Sequence, residues 1–268
     1  MNSSPILTEK VAPLHPRIHF CLLGSPTVTW NNQPLVIPRR SVRALLYRLA
    51  CESEGVTRGQ LQLLFWSDLP EAVSRRNLSH HLTHLRRALP IPQVLVADSE
   101  RAYLRSTFVW CDVVELKRAQ FDIASGPSLL QHLVGLYRSP FLEGFDLPGS
   151  VEYELWSLSE RNALERQYLN VLERLVEYYF LRGETGQAIK YAQLYLQTDS
   201  LSEAMYQRLI QLYAATGNRH LALQQYERCS SILKSELGIS PLPQTQAIYH
   251  AVLYGQLRFP ELPPLHAR

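Results

Sequence analysis

The sequence predicts an α+β helix-turn-helix module with a β-hairpin wing, followed by an all-α helical repeat. Three observations predict it. First, Ser74–Leu89, SRRNLSHHLTHLRRAL, carries Leu78, Leu82, Leu85 and Leu89 in one helical stripe. Its opposite face offers Arg76, His80, Thr83, His84 and Arg87 and no carboxylate. Second, runs of β-forming residues lie on both sides of a group of short helical patterns. Third, five positions in the second half recur at an offset of 34 residues.

Bulk properties agree with two ordinary domains. The chain has 268 residues, 46% hydrophobic and 19% charged, enough to bury real cores. No apolar run approaches the length of a membrane span. The start, MNSSPILTEKVAPLHPR, lacks a basic-then-apolar signal and reads as a short, loose leader. Cys21, Cys51, Cys111 and Cys229 are scattered, with no Cys-x-x-Cys spacing. Buried thiols in a reduced, cytoplasmic protein are expected. Charge divides unevenly. Residues 17–118 hold 14 Lys+Arg against 8 Asp+Glu, whereas residues 119–268 hold 12 against 15. A basic first module fits a polyanionic partner.

In chain order, IHFCLLG and TVTW read as strands, Asn31-Asn32 as a turn, and PLVI as a returning strand. A helix is expected from about Arg40 to Glu52, with Val42, Leu45, Leu46, Leu49 and Ala50 at helical spacing. Thr57 is a good N-cap, and Gln60 three residues later completes a capping box for a helix running to about Trp66. Ser67-Asp68-Leu69-Pro70 reads as a loop. The basic helix follows, with Ser74 as its expected cap and Pro90 near its end. VLVAD and AYLRS then form a hairpin around Ser99-Glu100-Arg101.

Sheet, two helices, basic helix and hairpin, in that order, is a winged helix. Ser74–Leu89 becomes the recognition helix and Val94–Ser106 the wing. Arginines on such a helix can meet phosphate or the paired acceptors of guanine, while small polar side chains meet base edges. A merely solvated basic face is the alternative. Arg101 is expected at the wing tip, either in minor-groove or phosphate contact or as an ordinary exposed turn arginine.

A small sheet of four strands ahead of the helices looks like the OmpR-like variety of winged helix. RRSVRALLYRLA, VTRGQLQLLFW, SRRNLSHHLTHLRRAL and VADSERAYLR resemble the DNA-binding half of the Streptomyces antibiotic regulatory protein family. This resemblance covers residues 17–116.

Beyond Ala119 the sequence is nearly all helical. SLLQHLVGLYRSPFLEGF reads as a helix and an irregular apolar turn, DLPGS as a break, and VEYELWSLSERNALERQYLNVLERLVEYYFLRG as a long helix ending at Gly183. Leu172, Leu175, Tyr179, Gly183 and Ala188 recur as Tyr206, Leu209, Tyr213, Gly217 and Ala222, the tetratricopeptide period. DLPGSVEYELWSLSERNAL resembles the middle of the bacterial transcriptional activator domain. QQYERCSSILKSELGISPLPQTQAIYHAVL resembles its end. The expected domains are therefore 17–116, an OmpR-like winged helix, and 117–256, a tetratricopeptide-like activator domain. Whether the chain is a stand-alone regulator or the N-terminal part of a larger relative stays open.

Membership of that family implies a transcriptional activator with no catalytic step and no cofactor. It implies binding to double-stranded DNA at direct repeats near a promoter, as protomers side by side, and recruitment of RNA polymerase through contacts near its sigma factor. Carried over, Arg75, Arg76 and Asn77 would meet phosphate, and His80, Thr83, His84 and Arg87 would face bases or backbone. The loop Ser67, Asp68, Leu69, Pro70, Glu71, Ala72 and Val73 would face polymerase.

The chain departs from the family pattern in having His80, His81 and His84, which supply less charge at neutral pH than arginine would. His80 and His84 are spaced to bind a transition metal, but no acidic or cysteine residue lies nearby in sequence and a metal would obstruct the groove. No metal is expected. Larger relatives carry a nucleotide-binding domain, but no phosphate-cradling Gly-x-x-x-x-Gly-Lys-Ser/Thr run occurs here. No Gly-x-Ser-x-Gly elbow or paired-carboxylate cleft suggests an enzyme. The other reading is a helical-repeat scaffold whose winged helix no longer binds DNA. In that case Tyr178, Tyr179, Tyr191, Tyr195, Tyr206, Tyr213 and Tyr226 would line a peptide groove instead of packing a core.

Overall fold

The computed structural model describes residues 17–118 and 126–256. The leader expected over residues 1–16 and the Pro-rich tail RFPELPPLHAR lie outside the described residues. The elements of the first half are β1 (Ile18–Cys21), β2 (Thr27–Trp30), β3 (Gln33–Pro34), α1 (Arg40–Ala50), β4 (Val56–Thr57), α2 (Arg58–Trp66), α3 (Glu71–Ala88), β5 (Leu95–Ala97), β6 (Arg101–Leu104), β7 (Val109–Cys111) and α4 (Asp112–Arg118). The second half contributes α5 (Pro127–Leu136), α6 (Val151–Leu181), α7 (Thr185–Thr198), α8 (Glu203–Ala215), α9 (Arg219–Leu237) and α10 (Pro243–Leu253). No helix among the described residues is long and apolar enough to cross a membrane.

These elements form two compact units. One holds the described residues up to 118 together with 137–164; the other holds 126–136 together with 165–256. The division differs from the single cut expected at residues 116–117. Its cause is aromatic. Tyr153, fully buried, lies 5.4 Å from Phe65 and 5.1 Å from Trp156, and Phe145 packs edge-on against Tyr47. Ser150 Oγ donates to the Leu64 carbonyl at 2.8 Å. These contacts bind DLPGSVEYELW to the first unit, and α6 runs from one unit into the other.

In the first unit, β1, β2 and β3 are antiparallel, and Asn31 and Asn32 turn the β2–β3 hairpin with positive φ of 48° and 61°. Adjacent left-handed residues give a turn whose twist matches the strands, and asparagine tolerates that conformation. The segment ahead of α1 supplies three strands to this sheet, not the four expected. The fourth is β7, which returns from beyond the hairpin to pair parallel with β1. Leu35 to Ile37 lie outside β3, so the expected PLVI strand is shortened to Gln33–Pro34.

Asp112 locks this sheet to α4. Only 1% exposed, its carboxylate accepts the Leu22, Leu23 and Val113 amides at 2.8, 3.0 and 2.8 Å, with Arg138 at 3.5 Å. Burial pushes its carboxyl above the usual range, against the pull of those amides and of Arg138. Thr57 and Gln60 form the expected capping box at α2.

In the second unit the 34-residue period is a period of hydrogen bonds. Gly183 and Gly217 have φ of 72° and 75°, a region that favours glycine. Just after them, the Glu184 amide donates to Tyr179 O and the Asn218 amide to Tyr213 O, both at 2.9 Å. Ala188 and Ala222, both fully buried, let paired helices approach. Tyr179, Tyr191, Tyr206 and Tyr213 are buried, and Tyr179 stacks on Tyr191 at 5.7 Å. ELGISP ends α9 at Gly238, whose φ is 69°. Glu203 then anchors α10 by accepting the Leu242 amide at 2.9 Å and the Thr245 hydroxyl at 2.6 Å.

Candidate nucleic-acid interface

The basic helix begins earlier than expected. Pro70 caps α3, its preset φ suits a helix entry, and its carbonyl accepts the Val73 and Ser74 amides at 2.9 and 3.0 Å. Ser74 is not the cap. It is a buried residue of the first turns, donating to Glu71 O at 3.0 Å. The loop between α2 and α3 is therefore Ser67–Pro70, while Glu71, Ala72 and Val73 form helix. Glu71 suits that position, where a carboxylate meets the positive end of the helix dipole.

The helix packs against α1 and α2 through Leu78, Leu82 and Leu85, with Leu89 buried at its end. Arg75, Arg76, His80, Thr83 and Arg87 are exposed; Asn77 and His84 are half-buried. Arg75 is ion-paired with Glu71 one turn earlier, both side chains exposed. Arg76, His80 and Arg87 make no hydrogen bond or ion pair among the described residues. Thr83 donates its hydroxyl to Ser79 O at 2.8 Å, leaving its oxygen able to accept. The face centred on Arg76, His80, Thr83 and Arg87 is thus open, basic and without carboxylates.

The three histidines do different things. His81 turns inward. Its Nδ1 lies 2.8 Å from Asn77 O, which can only accept, so Nδ1 carries the proton. Its Nε2 then accepts the Ser41 hydroxyl at 2.9 Å, and the Trp66 ring packs edge-on at 4.9 Å. Burial, then the positive neighbours, lower its pKa. His84 Nε2 lies 2.7 Å from Nη1 of Arg39, a donor only, so this nitrogen is unprotonated. Desolvation and the charges of Arg39, Arg87 and His80 lower its pKa. His80 stands free in the open face.

Beside the helix stands a three-stranded sheet in the order β4-β6-β5. The hairpin tip is Asp98–Glu100, where Asp98 Oδ1 accepts the Glu100 and Arg101 amides at 2.7 and 2.8 Å. Those two bonds hold the Asp98 carboxyl below its ordinary value. Arg101 is not at the tip. It opens β6 opposite Thr57, exposed, with Nη1 3.3 Å from Glu54 O.

Sequence reasoning missed Arg58 and Arg39. Arg58 ties three elements: its amide donates to Glu100 O at 2.7 Å, Nη1 to Asp98 O at 3.4 Å and Nη2 to Ser79 Oγ at 2.9 Å. A signal existed. An arginine in the first turn of a helix opposes the dipole, so it needs acceptors from elsewhere. Arg39 gave no comparable signal.

On the loop, Ser67, Asp68, Leu69 and Pro70 are exposed, as are Glu71 and Ala72. Nearby on α2, Leu63 is 62% exposed. This surface is acidic and apolar, unlike the open face of α3. The cysteines are all free. Burial pushes the Cys229 thiol up to about 12, the reverse of an activated nucleophile.

Residues 114–253 match the bacterial transcriptional activator domain. The chain belongs to the Streptomyces antibiotic regulatory protein family, through that domain. It is a transcriptional regulator and not an enzyme. Among similar proteins, transcriptional regulatory protein MoaR1 of Mycobacterium tuberculosis (strain ATCC 25618 / H37Rv) is 25% identical over 255 residues, spanning 88% of this chain and 79% of its own. Regulatory protein AfsR of Streptomyces griseus is 23% identical over 250 residues, which is 24% of its length. The structure of Mycobacterium tuberculosis EmbR in complex with a low affinity phosphopeptide aligns with a TM-score of 0.67 at 20% identity, over 91% of this chain and 67% of that one. That likeness shows a shared fold, β-rich first and helical after.

Proposed function

We propose that this regulator is a sequence-specific, DNA-binding transcriptional activator of the cytoplasm. Its first unit acts as an OmpR-like winged helix, with α3 in the major groove and the β5–β6 hairpin as wing. One observation carries the reading: Arg76, His80, Thr83 and Arg87 form an exposed helical strip free of carboxylates and beside a hairpin. Arginine and threonine there match guanine acceptors, phosphates and base edges. Asn77 and His84 border the strip on α3, Arg101 adds a contact from the wing strand β6, and Arg75 contributes through its helix position despite its pairing with Glu71.

The mechanism is positioning. Protomers dock side by side on direct repeats near a promoter. The repeat unit, tetratricopeptide-like, braces them. The surface Ser67, Asp68, Leu69, Pro70, Glu71, Ala72 and Val73 adds binding energy for RNA polymerase near its sigma factor. The acidic and apolar character of that surface supports a protein partner there and disfavours DNA. Burial of Tyr179, Tyr191, Tyr206 and Tyr213 as core weakens the scaffold reading, since a peptide groove needs exposed rings.

Mobility-shift titration on the protein's own upstream DNA tests the face. Arg76→Ala or Arg87→Ala weakens binding by about 1–3 kcal/mol where either reads a guanine with two hydrogen bonds. Unchanged affinity in both removes the groove-facing assignment. In reconstituted transcription, Asp68→Ala with Leu69→Ala keeps DNA binding and lowers activation; full activation removes the polymerase assignment.

A further inference from the structure

Arg39 and Arg40 are adjacent in sequence and opposite in circumstance. Arg40 is ion-paired with Asp146 and lies over the Phe145 ring at 5.2 Å. Arg39 is exposed, and among the described residues no carboxylate pairs with it. Among the described residues its one side-chain bond runs to another element: Nη1 donates to His84 Nε2, 45 residues later, at 2.7 Å.

That bond fixes where the guanidinium sits. On a wheel of about 100° per residue, His84 lies at the edge of the strip formed by Arg76, His80, Thr83 and Arg87. Arg39 therefore borders the strip on the His84 side. A guanidinium has five N–H donors in a rigid fork, and His84 takes one. The remaining donors stay beside His84, and no carboxylate pairs with them among the described residues. A duplex holding α3 in its major groove carries a row of phosphates along each side of that helix.

We infer that Arg39 is a DNA-phosphate contact outside the helix-turn-helix, held at the rim of α3 by the Nε2 of His84. This inference rests on the DNA-binding reading and adds a ligand atom and a positioning residue to it. Arg39 grips a phosphate oxygen whatever the base sequence. His84 places it, so that one phosphate lies in register with the bases that Arg76 and Arg87 meet. His84 thereby acts through Arg39 in addition to any contact of its own.

The test is anisotropy of a labelled duplex from the protein's upstream region across a salt series, with thermal melts confirming that each variant is folded. Arg39→Gln is expected to lower affinity several-fold and equally on specific and unrelated duplexes. The slope of log K against log salt shrinks by about 0.9, one phosphate. His84→Leu, which removes the acceptor, costs a similar factor, and the double variant costs little more than either single one. His84→Gln, whose amide oxygen can accept from Arg39, restores most of the affinity. An unchanged slope in Arg39→Gln beside a weakened Arg87→Ala overturns this inference and leaves the DNA-binding reading standing. Additive losses in the double variant overturn the positioning by His84. Absence of binding by the folded wild-type chain overturns both readings.

Discussion

Arg76 and Arg87 on α3 and Arg182 and Arg208 in the helical repeat are treated in opposite ways. Arg76 and Arg87 project from α3 with no acceptor among the described residues. In the repeat unit, Arg208 donates to Glu177 at 2.8 Å and to Gln211 at 3.3 Å, and its guanidinium lies 4.4 Å from the Phe180 ring centre. Arg182 lies 4.6 Å over Tyr178. Charge that is paired or stacked inside a unit serves that unit's own packing. Charge left unpaired along one helix face favours a partner of opposite sign. The contrast separates a framework from the face proposed to bind DNA.

Within the first unit the same contrast recurs at smaller scale. Asp112, buried and satisfied by three amides, belongs to the framework. His81 does too, whereas His80 one position earlier belongs to the surface. Helical geometry explains the difference, since neighbouring residues point about 100° apart.

The largest expected effect comes from breaking the framework. Asp112→Ala strands the Leu22 and Leu23 amides in the core and should destabilise the first unit by about 3 kcal/mol or more. Chemical unfolding measures it; a loss under about 1 kcal/mol would demote Asp112 from its role. Next comes overpacking of the repeat. Ala222→Leu, at a fully buried helix contact, should cost about 1–3 kcal/mol. DNA affinity of the folded fraction should be unchanged. Altered affinity there would blur the line between framework and surface. Arg208→Ala should cost about 1 kcal/mol of stability or less, because the group is partly exposed, and should leave DNA binding intact.

The smallest effect is on pH. Burial depresses the His81 pKa in the folded state, so the neutral form stabilises the fold. That contribution is present above the ordinary imidazole value of about 6.5 and is lost as pH falls through the lower folded value. Melting temperature should therefore drop with acidification below about pH 6.5, and His81→Gln should flatten the drop. An equally steep fall in the variant would place the titration elsewhere, with His84 as the next candidate.

What the sequence made legible was local or periodic. The Thr57–Gln60 box, the Asn31-Asn32 turn and the apolar stripe of α3 each need only a few neighbouring residues. The 34-residue period survived because Gly183 and Gly217 must adopt the same left-handed turn and Ala188 and Ala222 the same close approach. Long-range features stayed hidden. The parallel pairing of β7 with β1 joins segments about 90 residues apart, and the Leu22 and Leu23 amides that Asp112 accepts lie equally far from it in sequence. Residues 137–164 cluster with the first unit through Tyr153 and Phe145, aromatic residues that fit either unit by composition. The α3 start was misplaced because Ser74 has the side chain of a cap, while Pro70 and Glu71 supply a competent entry one turn earlier. Arg39 and Arg58 were missed because their partners, His84, Ser79 and the hairpin carbonyls, are distant in sequence.

The most direct test of the central claim compares wild-type Met1–Arg268 with the Arg76→Glu/Arg87→Glu variant by fluorescence anisotropy on the protein's own upstream DNA across a salt series. Tight wild-type binding that weakens steeply with salt, and its disappearance in a variant that melts normally, is the predicted result. Equal binding by both proteins, or none by the folded wild-type at low salt, would contradict it.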